Sequence, residues 1–111
     1  MEESPLDNLR AQATRAQVIE VLKTIQDPEL PIDIYEMGLI YAVDVSADDI
    51  VTIRMTLTTP MCPVAETLPP EVEEKVKAIA GVRDARVELV WDPPWTPERM
   101  SEAARLEAGL M

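Results

Sequence analysis

The chain has 111 residues and is 47% hydrophobic, which suits one domain with a modest core and argues against wholesale disorder. Its 10 Lys and Arg face 21 Asp and Glu, a formal net charge of −11 with no basic cluster, so duplex nucleic acid and anionic membranes are disfavoured as partners. No apolar run approaches the roughly 20 residues of a membrane span, and the start Met1-Glu2-Glu3 lacks a signal-peptide pattern. The single cysteine cannot form an internal disulfide, so the cytoplasm is the expected location.

Residues 1–13 are polar and are expected to form a flexible N-terminal segment ahead of one domain over 14–111. Thr14 and Gln17 match a capping box. Val18, Val21, Leu22 and Ile25 follow at helical spacing, which predicts a helix over 15–25. Residues 26–38 read as a loop, because Pro28 and Pro31 exclude a regular helix or a central strand. Within it, residues 33–37 suit one helical turn closed by Gly38 in a left-handed conformation.

Alternation then predicts two strands. Leu39, Tyr41, Val43 and Val45 mark the first, and Val51, Ile53, Met55 and Leu57 the second, with a turn at 47–49. Val64, Leu68, Val72, Val76 and Ile79 keep one helical face across Pro69-Pro70, so a kinked helix or two abutting helices is expected there. Ala85, Val87, Leu89 and Trp91 predict a third strand, parallel to the second through a right-handed crossover. Asp92-Pro93-Pro94-Trp95 reads as a stiff turn. Thr96-Pro97-Glu98 then reads as the cap of a last helix. The order α-β-β-α-β-α gives an α/β (α+β) two-layer sandwich with a small mixed sheet of three strands.

The chain has no histidine, so the commonest general base and nitrogen ligand are absent. Soft-metal or nucleophilic chemistry must pass through Cys62, in Thr58-Thr59-Pro60-Met61-Cys62-Pro63 between a strand and a helix start. The helix dipole favours a thiolate there, while the acidic surroundings oppose it. A small buried thiol is the plainer alternative. Asp27 and Glu29 flank Pro28, where they suit either turn chemistry or a pocket with hard oxygen ligands beside Cys62. Thr58 shares a strand face with Thr56. The two are either exposed strand threonines or partners of the sulfur. Trp91 and Trp95 form either a rigid corner or a partner-binding patch. One chain offers one thiolate, whereas clusters usually take four. A metal or cluster would therefore be transient, held between the chains of a homodimer or shared with a partner.

Three blocks of this sequence resemble a known family. They are Asp27-Pro28-Glu29-Leu30-Pro31, Met37-Gly38-Leu39-Ile40-Tyr41, and Met55-Thr56-Leu57-Thr58-Thr59-Pro60-Met61-Cys62-Pro63. With Gly81-Val82 and Val90-Trp91-Asp92-Pro93-Pro94-Trp95-Thr96-Pro97, they are similar to the SufT-like iron–sulfur cluster assembly family. That family of metal–sulfur cluster biosynthetic proteins is related to PaaD-like proteins of phenylacetate degradation and to the cytosolic cluster-targeting factors of eukaryotes. The likeness covers residues 14–108.

The resemblance implies an α/β fold and a non-enzymatic role, acting beside the SUF machinery in assembling clusters or passing them to clients. It implies iron–sulfur scaffold and client proteins as partners. It also implies a transient iron–sulfur cluster or iron as cargo, with none bound stably. Cys62 falls on the family's cysteine, and Asp27 and Glu29 on its acidic loop. A protein–protein adaptor, or a subunit of a larger oxygenase or maturation complex, in which Cys62 is structural is the alternative. A thiol enzyme is disfavoured, because no histidine or second cysteine stands ready to activate or resolve the sulfur.

Overall fold

The structure is a computed structural model, and it describes residues 5–27, 32–57 and 64–107. The first element, α1 (Pro5–Leu22), starts ten residues before the expected position 15. No glycine or internal proline interrupts this stretch, and its Leu, Ala, Arg and Gln favour helix, so the helix runs through the capping-box pattern instead of starting on it. Thr14 is mid-helix and half-buried. Val18 and Leu22 are fully buried, and Val21 packs beside them. The helix closes at Leu22 rather than 25. Thr24 N–H reaches back to the Val21 carbonyl at 2.9 Å and Ile25 N–H to that of Leu22 at 3.3 Å, the shorter bonding of a tightened last turn.

A hairpin follows, β1 (Ile40–Val45) with β2 (Ile50–Met55), and the pairing is antiparallel. Asp49 turns the chain with φ 64, a conformation Asp tolerates better than most residues. Val51, Ile53, Met55 and Leu57 are all buried, as their alternation requires. Thr56 is buried as well, which departs from its reading as an exposed strand residue. It lies just past the end of β2, where its N–H still bonds the Leu39 carbonyl at 2.9 Å.

The next element, α2 (Val64–Lys77), is one helix that runs through Pro69-Pro70. Leu68, Val72 and Val76 are buried on one face, so the apolar stripe holds across the two missing amides. The third strand, β3 (Asp84–Leu89), pairs parallel with β2, and β2 is central in the order β1-β2-β3. Trp91 lies beyond its end. Thr96 and Pro97 open a short 3-10 turn (Pro97–Arg99) rather than the last helix, and Thr96 makes no side-chain capping bond. The helix proper is α3 (Glu102–Glu107). It is capped instead by Ser101, whose Oγ accepts the Ala104 N–H at 3.1 Å. Among the described residues, three α-helices and a three-stranded mixed sheet make the small α+β fold.

Carboxylates finish the free side of β3. Val87 N–H donates to Glu73 Oε1 of α2 at 2.9 Å, and Ala85 N–H to Asp84 Oδ1 at 2.9 Å. The bond from Ala85, reinforced by Lys77 at 3.3 Å, holds the Asp84 carboxyl below its ordinary pKa. A carboxyl so lowered stabilises the fold fully above its unfolded pKa, about 3.9 for Asp, and loses that contribution as pH falls through the lower folded value. Asp84→Asn should therefore lower the denaturation midpoint near neutral pH, and the gap to wild type should close below about pH 4. A gap that persists unchanged into that acid range would show that ionisation of Asp84 is not what the fold uses.

Candidate functional site

The carboxyl end of β2 is where the elements converge. The Leu39 carbonyl accepts the Thr56 N–H on one side, and the Met55 carbonyl accepts the Val90 N–H on the other, both at 2.9 Å. The chain leaves the sheet there for α2. In sheets built on parallel strand–helix connections, ligands gather at this end. Cys62 and Thr58 belong to that connection and Glu29 to residues 28–31. All three lie outside the described residues.

Asp27 is described, and it is buried at 7% relative exposure. Two short pairings hold its backbone. Its N–H donates to the Ile32 carbonyl at 3.0 Å, and Ile34 N–H donates to the Ile25 carbonyl at 2.9 Å, around an isolated antiparallel bridge of Gln26 with Asp33. Ile25 and Ile34 are fully buried, so this small ribbon is fastened to the core. It is also close to the end of β2, because Leu39 N–H bonds the Ile34 carbonyl at 3.2 Å and the Leu39 carbonyl bonds Thr56. The acidic segment and the outlet of β2 are thus joined through a single residue, Leu39. Thr56 Oγ1 has only a weak contact to the Leu57 carbonyl, at 3.5 Å.

The expected helical turn at 33–37 is present. Met37 N–H bonds the Asp33 carbonyl at 3.0 Å, Glu36 N–H bonds Asp33 Oδ2 at 2.9 Å, and Gly38 closes the turn with φ 78. The two tryptophans part company here. Trp95 is half-buried against the core, and its indole Nε1–H donates to the Met37 carbonyl at 2.7 Å. Trp91 is 42% exposed. A cation–π contact links the C-terminal segment to β1, with the Arg99 guanidinium 4.5 Å from the Tyr41 ring centre, and the Tyr41 hydroxyl donates to the Pro93 carbonyl at 2.6 Å.

Sequence reasoning missed Tyr41, Arg99 and Ser101 as parts of this corner. Gly38 and the stiff Asp92-Pro93-Pro94 turn both signalled local backbone shape, and neither named a neighbour. Among the described residues, no group of three or more His, Cys, Asp or Glu could hold a metal ion. No helix among them is long and apolar enough to cross a membrane.

The profile of the family described as iron–sulfur cluster assembly protein matches residues 15–89. A relative from Porphyromonas gingivalis, an Fe-S protein maturation auxiliary factor, is 43% identical over 98 residues, covering 88% of this chain and 93% of its own. The Fe-S protein maturation auxiliary factor SufT of Staphylococcus aureus is 39% identical over 84 residues, 76% of this chain and 96% of its own. The crystal structure of a domain of unknown function from Bacillus anthracis superposes with a TM-score of 0.86 at 33% identity, covering 94% of this chain and 99% of that one. With the family profile spanning α1 to β3 and relatives matched over nearly their whole length, this chain belongs to the iron–sulfur cluster assembly protein family.

Proposed function

We propose that this protein is a non-catalytic accessory factor that helps assemble iron–sulfur clusters or pass them to client proteins. The observation that carries the proposal is the match over residues 15–89, which takes in both the Asp27 segment and Cys62, together with near full-length relatives that are maturation auxiliary factors. The cluster is cargo here. Cys62 serves as its transient ligand or as a sulfur acceptor, because no other side chain in the chain offers a thiolate. Asp27, Glu29 and Thr58 shape the pocket around it. Trp91 and Trp95, with the acidic surface, engage scaffold and client proteins. Residues 14–111 act as one domain in the cytoplasm.

One thiolate per chain leaves a cluster short of ligands, so two copies, or one copy and a partner, share it. Anaerobic reconstitution with iron and sulfide, followed by absorption spectrum and by mass in solution, tests this. The expected result is a cluster spectrum that requires Cys62 and that arises together with a homodimer. A folded protein that takes up no cluster and transfers none to an apo-client counts against the proposal and favours an adaptor role.

A further inference from the structure

We infer that residues 91–105 form a strap that sets the position of the Asp27 segment, with Trp95 as its principal positioning residue. Three contacts of the strap fall on three consecutive residues of one turn. Ser101 N–H donates to the Glu36 carbonyl at 2.9 Å, Trp95 Nε1–H donates to the Met37 carbonyl at 2.7 Å, and the backbone of Arg99 lies directly over Gly38. A carbonyl at the end of a helical turn has no partner within the turn, so the strap supplies donors that the turn lacks. Met100 and Ala104 are buried behind these contacts at 4% and 2% exposure, which fixes the strap to the core.

The same turn holds the acidic segment. Its first residue, Asp33, accepts the Met37 N–H on its carbonyl and the Glu36 N–H on its carboxylate, and it bridges Gln26. Ile32 and Ile34 on either side carry the bonds to Asp27 and Ile25. Hydrogen bonds and the short covalent links between them therefore lead from the indole of Trp95 through Met37, Asp33 and Ile32 to the backbone of Asp27. The strap lies beyond the residues 15–89 that the family profile matches. A partner that lifts it would loosen the acidic segment without disturbing the sheet. What this positioning serves rests on the reading of Asp27 as part of the transfer site.

Native-state hydrogen exchange on two full-length variants tests the inference. Trp95→Phe keeps an aromatic ring and removes the indole N–H. Ser101→Pro removes the other donor together with the Oγ cap of α3, and the extended Met100 before it, at ψ 147, suits a following proline. Ser101→Ala, which loses the cap and keeps the N–H, is its control and should leave the Asp27 and Ile34 rates at their wild-type values. In Trp95→Phe and Ser101→Pro, the Asp27 and Ile34 amides should exchange at least about fivefold faster. The Arg83 amide, bonded to the Asp49 carbonyl at 2.8 Å at the opposite end of β2, should keep its wild-type rate. Equal acceleration at Arg83, or unchanged Asp27 and Ile34 rates in both variants, overturns the strap. Cluster transfer by the same proteins separates the two readings. Faster local exchange with unchanged transfer leaves the strap standing and removes Asp27 from the transfer site.

Discussion

Gly38→Ala should unfold at a much lower denaturant concentration than the wild type, with a loss of about 2–5 kcal/mol. Two costs combine. At φ 78 the backbone is in the left-handed region, where a Cβ costs roughly 1–2 kcal/mol. That Cβ would also stand 2.2 Å from the Arg99 carbonyl oxygen and 2.6 Å from its carbonyl carbon. These are backbone atoms, which cannot swing aside as the tip of a long side chain can. The strap must lift, taking the Trp95 and Ser101 bonds with it. Gly81→Ala is the matched control. Its φ of 92 carries the same conformational cost, but nothing lies within 4 Å of a Cβ there. Gly81→Ala should therefore lose only the backbone contribution. If the two variants lose the same stability in denaturant titrations, the close approach of Arg99 contributes nothing.

Cys62→Ser should leave the protein folded and reduce activation of an apo-client to the level seen without it. Serine nearly matches cysteine in shape, but its hydroxyl stays protonated at neutral pH and binds iron poorly, whereas a thiolate is both a nucleophile and a soft ligand. With no histidine and no second cysteine, nothing else in the chain can supply a thiolate in its place. The unfolding free energy should change by no more than about 0.5 kcal/mol. A serine variant that activates the client normally makes the chain an adaptor. One that fails to fold makes Cys62 a packing residue.

Much of the scaffold was legible in the order of residues because its signals are periodic and local. The alternation from Val51 to Leu57 and the helical face of Leu68, Val72 and Val76 both describe buried surfaces that the fold does bury. Gly38 was readable as a left-handed residue for the same local reason. The misread boundaries come from local signals that tertiary context overrode. Thr14 looks like a cap, yet the residues before it favour helix just as strongly. Thr96-Pro97 looks like a helix start, yet Ser101 caps the helix.

The candidate site was harder to read because it depends on contacts far apart in sequence. Asp27-Pro28 suits turn chemistry as well as a pocket, and nothing local says that Asp27 is buried. Trp95 and Met37 are 58 residues apart, and the stiff Asp92-Pro93-Pro94 turn announces a corner without naming what the corner rests on.

The carboxylates along the outer side of β3 bear on how copies of this protein can come together. Two small sheets often fuse into one by laying edge strands side by side about a two-fold axis, each strand lending its open amides to the other. Here the amides of Ala85 and Val87 are already engaged by Asp84 and Glu73. A neighbouring strand would have to displace two carboxyl groups, and in a symmetric pair it would bring four of them to one seam. Any joining of two sheets edge to edge would therefore have to use β1, the other outer strand, and the side of the molecule next to α2 would stay free of the seam.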